Sequence, residues 1–410
     1  SFNEEGAYRC TVYNRLYHPR GLVADEDGGP MAEYEALTNS VTLWDVAVER
    51  QIRVKGPDAE AFTNYVVTRD VTSMDAMDGK YVILCNEKGG VLNDPVLLRP
   101  EEDEFWFSLS DNTLMQWLQG VNVGEKFDVE IEEIDVAPMQ IQGPLSKDVM
   151  VDVVGEEVGE IPYYGLMDAE IDGASVLISQ TGFSGEEGYE IYVRDASMNA
   201  ERVWDPVLDS VKAHGGMQIA PGHHRRIAAG IMSWGQDLDH ETSPFQVNLG
   251  YHVQADKEAD YIGKEALEAQ QSKIEAGEFP FTHKMIGLKM AGEPIREYAP
   301  DFWLISEPES GEECGYLTSP WYNPDLETNI GMGFVPAEMV QEASDVPLND
   351  AVYDEELDLE FNVHLPEEYS DEAGEPVYAT AAKVPFKESV NPSAREQAKL
   401  NARTEIEGDD

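Results

Sequence analysis

The chain has 410 residues, with 28 Lys and Arg against 81 Asp and Glu, a formal net charge of -53. That balance excludes nucleic acid and anionic membrane surfaces as partners, because both would repel it. It is not an acidic disordered chain, since 42% of its residues are hydrophobic, seven are Trp and the acids are spread along the whole length.

The length allows two or three domains with ample cores. The acid excess reads as adaptation to a salt-rich cytoplasm, where counterions screen self-repulsion over about 3 Å at molar salt. Cys10, Cys85 and Cys314 lie far apart, without metal-ligand spacing or a disulfide framework. A reducing compartment is therefore expected. No stretch approaches a membrane span, and the first residues lack a basic-then-apolar signal. The expectation is a soluble, cytoplasmic protein without a metal.

In chain order, residues 46–54 read as a strand, followed by Gly56-Pro57-Asp58-Ala59 and a helix with Phe62, Tyr65 and Val66 on one face. Residues 81–84 and 105–109 read as strands, and Asp111 is placed to cap a helix carrying Leu114, Trp117 and Leu118. The first pattern then recurs. Residues 136–142 form a strand, Gly143-Pro144 follows, and Leu145, Val149 and Val153 take helical spacing. In both copies Pro is placed at the helix start, where its missing N–H costs nothing. Two such copies predict two related α+β domains.

Further on, Val203, Trp204, Val207, Leu208 and Val211 mark an amphipathic helix. Another is predicted from Pro221-Gly222-His223-His224 through Ile227, Ile231 and Met232, and residues 258–277 form a charged linker helix. Short strands at 285–288, 315–317 and 331–335, interleaved with Pro and Gly, predict a small β-barrel. The last residues, 391–410, lack a core pattern and read as a tail.

Four segments carry chemistry. In Thr181-Gly182-Phe183-Ser184-Gly185-Glu186-Glu187-Gly188-Tyr189-Glu190-Ile191-Tyr192, a glycine-punctuated turn leads into an alternating strand. The strand sets one carboxylate, Glu190, beside a cramped loop, where it can accept from a planar donor such as an aminopyrimidine N–H pair. Gly89-Gly90-Val91-Leu92-Asn93-Asp94-Pro95 is a tight turn ending on an acid. It lacks both the G-x-G-x-x-G spacing and the following helix of a dinucleotide site. Thr42-Leu43-Trp44-Asp45-Val46 precedes the first strand, and Gly315-Tyr316-Leu317-Thr318-Ser319-Pro320 with Asn329-Ile330-Gly331-Met332-Gly333 lies near the C-terminus.

In this order and spacing the set resembles the folate-dependent aminomethyltransferase family, founded on the glycine-cleavage T-protein, from about Tyr13 to Phe386. Tyr13-Asn14, Trp44-Asp45-Val46-Ala47-Val48-Glu49-Arg50-Gln51 and Leu92-Asn93-Asp94-Pro95 are most similar to its dimethylsulfoniopropionate demethylase branch. Ser184-Gly185-Glu186-Glu187 resembles the T-protein loop instead. The resemblance implies an α+β fold, a three-domain cloverleaf of two related α/β sheet domains and a C-terminal β-barrel domain. Residues 1–54 and 134–255 would form a discontinuous folate-binding domain, 55–133 a second domain and 256–390 the barrel. Tetrahydrofolate would lie at the hub.

The resemblance also implies roles. Glu190 would accept from the pterin N–H groups. Asp94 or Asn93 would lie near the reacting nitrogen, with Asp94 positioning the folate more than acting as an acid. Arg226, in the basic run His223-His224-Arg225-Arg226, would meet the folate or a substrate carboxylate. Tyr13 and Phe183 would face a cationic donor. Asn93, where a second acid is expected, points to a leaving group that needs no proton, as in a sulfonium.

The implied activity is methyl transfer from a small-molecule donor to N5 of tetrahydrofolate. Aminomethyl transfer from a lipoyl carrier, O-demethylation of methoxy-aromatics and a non-catalytic folate-binding module are the alternatives. Homo-oligomerisation is left open.

Overall fold

The computed structural model describes residues 8–14, 16–296, 302–349, 356–366 and 373–390. The expected tail, 391–410, lies outside the described residues.

A six-stranded sheet runs Leu166–Ile171, Ala174–Ser179, Gly188–Arg194, Val136–Gln142, Thr42–Asp45, Met217–Ile219. Helices Ser146–Val154 and Ala196–Ala213 cover one face. There Val149, Val203, Val207 and Val211 pack on Ile141, Ile178, Tyr189, Ile191 and Val193. Strand side chains alternate between faces, so Glu190 and Tyr192 point the other way. Tyr192 meets Leu98 and Trp106 of a second sheet. Simple alternation thus puts Glu190 between two sheets.

The second sheet runs Glu130–Glu133, Gln51–Lys55, Glu104–Ser108, Val96–Glu101, Asp78–Tyr81. Phe62, Val66 and Leu118 from helices Ala59–Val66 and Leu114–Glu125 close its core against Ile52, Val54, Phe105 and Phe107. Each large apolar side chain removed from water there contributes about 1.5–3 kcal/mol. Gln51–Lys55, placed largely in the first domain by the sequence, hydrogen-bonds within this sheet to Glu104–Ser108 and Glu130–Glu133.

Six strands close into the C-terminal barrel. Their cyclic order is His283–Met290, Ala373–Ala382, Glu360–Pro366, Trp303–Ser306, Glu313–Leu317 and Thr328–Pro336, with the last pairing back to the first.

The internal repeat has a physical basis. Gly56 and Gly143 turn the chain from strand to helix at φ +146° and +126°. A Cβ would stand 2.4 Å from Asp128 O at the first and 2.6 Å from Ser40 O at the second. Only glycine fits either corner. The helices begin at Ala59 and Ser146, two residues after the prolines.

Three local expectations differ. Residues 46–49 form a turn, with Glu49 N donating to Val46 O at 2.9 Å, so the strand starts at Gln51. The helix His223–Ala228 stops before Ile231, because Gly230 takes φ +73° and Ile231 N closes back onto Arg226 O at 2.9 Å. Asn112, not Asp111, serves the helix start, accepting from Leu114 N at 2.8 Å. Asp111 instead accepts from Asn14 N at 2.7 Å and holds the N-terminal hairpin of Tyr8–Tyr13 and Leu16–Gly21.

Candidate active site

A cavity of about 400 Å³ lies where the sheets, the N-terminal hairpin, the 229–236 segment and Ser389 converge. Three of its acids come from different parts of the backbone: the turn after Thr42–Asp45 brings Glu49, the link between strands Val91–Asn93 and Val96–Glu101 brings Asp94, and strand Gly188–Arg194 brings Glu190.

The loop before Glu190 wraps around one side chain. Gln142 Nε2 donates to Thr181 O at 3.2 Å, and its Oε1 accepts from Ser184 Oγ at 2.6 Å. A Cβ on Gly182 or Gly188 would come within 2.2 Å of that amide, so both glycines are sterically required. The strand that follows pairs Glu190 with Gln140 on one side and with Ser179 on the other.

Glu190, 3% exposed, accepts from Gln140 Nε2 at 2.7 Å through Oε1. Its Oε2 accepts from Tyr192 O–H at 3.2 Å and in a short bond from Thr181 O–H. Burial raises its pKa, against the lowering effect of these three donors. Gln140, 2% exposed, leaves its own Oε1 without a hydrogen bond in the cavity wall. A buried amide oxygen without a donor is costly. Together with the remaining capacity of Glu190 Oε1 it makes a pair of acceptors suited to a planar N–H-bearing ring. The residues present thus fit the pterin end of a folate.

Of the 93–94 pair, Asp94 lines the cavity and Asn93 does not. Asn93 is fully buried, and its amide faces the Ser110 backbone, accepting from Ser110 N at 3.2 Å. Asp94 accepts from Tyr81 O–H at 2.9 Å and Ser110 O–H at 2.8 Å. Burial outweighs both donors and pushes its pKa up to about 6. Tyr13, also in the wall, has its pKa raised by burial and then by Glu49, Asp94 and Asp111. Phe183 lines the cavity, packs with Leu37 and Trp44, and meets His223 edge-on at 6.5 Å.

Arg226 requires a correction. It is fully buried and does not line the cavity. Its guanidinium pairs with Asp237 at 2.6 Å and bonds Ile231 O at 3.0 Å, Gln236 Oε1 at 3.1 Å, Ser319 Oγ at 2.9 Å and His223 Nδ1 at 3.4 Å. Asp237 also accepts from Thr318 O–H at 2.6 Å, so this network ties the segment after the helix to the barrel. That is the physical content of the 315–320 motif. Arg225 pairs with Glu186 at 2.6 Å and donates to Glu388 O at 2.9 Å, anchoring the glycine loop to the C-terminal segment. The basic groups in the cavity wall are Arg20, His18, His223 and His252, with Arg20 in contact with His223. Burial, then Arg20, pushes His18 down to about 4, and the same two causes lower His223 well below its usual value.

Sequence reasoning passed over Gln140, Tyr81 and Glu49 as site residues. A polar residue at a strand position that packing should bury was the available signal for Gln140. Among the described residues, no group of His, Cys, Asp and Glu could hold a metal, and no helix is long and apolar enough to cross a membrane.

Comparison with known proteins agrees with this architecture. The family model described as the GCVT N-terminal domain matches residues 4–257. The dimethylsulfoniopropionate demethylase of Ruegeria pomeroyi is 31% identical over 332 residues, 80% of this chain and 86% of that protein. An aminomethyltransferase of Alkaliphilus metalliredigens is 28% identical over 78% of this chain and 85% of its own length. In fold, the chain is similar to the glycine cleavage system aminomethyltransferase T of Bartonella henselae. The TM-score is 0.72 at 20% identity, over 94% of this chain and 96% of that one. The chain belongs to the glycine-cleavage T-protein family of tetrahydrofolate-dependent one-carbon transferases.

Proposed function

We propose that the chain moves a methyl group from a sulfonium donor of the dimethylsulfoniopropionate type to N5 of tetrahydrofolate. The observation that carries this reading is the disposition of the 93–94 pair. Of the two, only Asp94 faces the cavity, and Asn93 is turned into the Ser110 backbone. An amine leaving group needs a proton, whereas a sulfonium departs as a neutral thioether with the C–S electron pair. The similarity to the Ruegeria demethylase supports the same donor.

Tetrahydrofolate, when bound, supplies the N5 lone pair that forms the new N–CH₃ bond. Glu190 and the free Gln140 Oε1 hold the pterin N–H groups and fix its orientation. Asp94, kept in place by Tyr81 and Ser110, would accept the proton that N5 has to lose on methylation. Tyr81, Tyr13 and Phe183 keep water away from the methyl group in transit.

Aminomethyl transfer is the second reading. Asp94, with a pKa near 6, keeps a protonated fraction at neutral pH that an amine leaving group could use. Incubation with tetrahydrofolate and each donor in strong salt separates the two. Formation of 5-methyltetrahydrofolate from the sulfonium supports the proposal. Turnover with only an aminomethyl–lipoyl donor, or only a methoxy-arene, refutes it.

A further inference from the structure

We infer that Glu49 is the counter-ion of a cationic donor, the residue that makes this cavity select an onium group over a neutral methyl ether. The inference rests on the methyl-transfer reading above and names the feature of the donor that the protein recognises.

Glu49 lies in the crossing between the two sheets, in the turn that ends strand Thr42–Asp45 and precedes strand Gln51–Lys55. Its carboxylate lines the cavity. Asp94 and Glu190 are each held by side-chain donors. By contrast, the Glu49 carboxylate makes no hydrogen bond or ion pair among the described residues. Its neighbour Arg50 turns away to pair with Glu133. The titratable groups that act on Glu49, or that it acts on, are Glu190 and Tyr192 from one sheet, Asp94 from the link before strand Val96–Glu101 and Tyr13 from the N-terminal hairpin. None of them carries positive charge.

Glu49 is only partly buried, and its carboxylate opens to the cavity beside two others without a protein donor, which leaves it available to a ligand. Gln140 Oε1, unpartnered in a side chain 2% exposed in the same wall, independently shows that these surfaces are shaped for a ligand. Pterin N–H groups satisfy Gln140 and Glu190 and leave Glu49 over. A sulfonium has no N–H to donate and is recognised by charge and by aromatic faces. An acceptor without a hydrogen-bonding partner, in the same cavity wall as Tyr13, matches that need.

Proton linkage follows from the same arrangement. With no cation present, desolvation and the nearby Glu190 and Asp94 raise the pKa of Glu49 above its usual value and so favour its protonated form. A bound cation favours the ionised form. Donor binding therefore releases a proton, and affinity rises with pH.

The test uses the full chain in strong salt with tetrahydrofolate present. It compares dimethylsulfoniopropionate with 4-methylpentanoate, which has the same carboxylate but an uncharged isopropyl end. Calorimetry in two buffers of different ionisation enthalpy counts the protons released. Wild type is expected to prefer the sulfonium and to release protons on binding it. Glu49→Gln should weaken sulfonium binding about tenfold or more, leave the isostere within about twofold and release fewer protons than wild type, since Asp94 and Glu190 remain. Glu49→Asp, which keeps the charge, should retain part of the preference. Melting curves verify that both variants fold, since removing this acid should not lower stability.

Equal weakening of both ligands in Glu49→Gln, or unchanged sulfonium affinity, overturns the inference. Wild type that demethylates the sulfonium but does not discriminate against the isostere overturns it while the methyl-transfer reading stands. Discrimination without methyl transfer does the reverse. Binding of neither ligand refutes both.

Discussion

Glu190→Gln should separate ligand binding from folding. In the protein the carboxylate takes one amide N–H, from Gln140, and two hydroxyls, from Thr181 and Tyr192. A glutamine can keep its oxygen towards Gln140 and turn its NH₂ towards the hydroxyls, which accept as readily as they donate. The local fold should therefore survive. Removing a carboxyl group whose charged form burial disfavours should, if anything, raise the melting temperature of the ligand-free protein. Folate binding loses a charge-assisted contact of about 1.5–3 kcal/mol, which is roughly a 10- to 140-fold rise in Kd. Titration calorimetry with tetrahydrofolate and a thermal melt on the same sample give both numbers. Wild-type affinity, or an affinity loss matched by a large fall in melting temperature, would refute the reasoning.

Asp237→Asn should act on the fold. It strands the fully buried Arg226 charge, at a cost of about 3–5 kcal/mol. The expected fall in melting temperature is about 4–6 °C for a chain of 410 residues that unfolds as one unit, and an unchanged melt would show that the link to the barrel is dispensable. For Asp94, with its pKa near 6, a base role makes the wild-type methyl-transfer rate climb as pH rises through about 6. In Asp94→Asn a slower reaction should lack that limb, and a variant that keeps it would assign the titration elsewhere. The same raised pKa makes ligand-free stability fall as pH rises from about 4, where the unfolded carboxyl ionises, through about 6. Finally, the charge of -53 predicts loss of structure below about one molar salt; a melting temperature that stays flat from dilute buffer to multimolar potassium chloride would contradict this.

Much of the fold was legible because it is periodic. The alternation at 189–193 assigned one face to the helices and the other to the site, and the Gly-Pro corners at 56 and 143 marked the repeat. The inward direction of Glu190 was legible for the same reason, since alternation sets it opposite the helix-facing Tyr189 and Ile191. Arg226 was misread because sequence gives a side chain's chemistry but not its direction. A short helix ended by Gly230 turns the guanidinium onto Asp237, a partner eleven residues on whose location only the tertiary fold reveals. Asn93 and Asp94, adjacent on a strand end, point to opposite sides, and which side is the cavity depends on the packing of the second sheet. Glu49 was hidden because residues 46–49 read as strand, where it would have alternated with apolar neighbours. The turn there is what swings it into the cavity wall.

The most direct test of methyl transfer follows the methyl carbon itself. Dimethylsulfoniopropionate carrying ¹³C in its S-methyl groups is incubated with the full chain and tetrahydrofolate in multimolar potassium chloride, and the products are read by NMR. The account predicts a labelled methyl resonance on N5 of tetrahydrofolate, with a labelled methylthio acid as the other product in equal amount. Unchanged donor, in a sample that converts an aminomethyl–lipoyl carrier to methylenetetrahydrofolate under the same conditions, would contradict it.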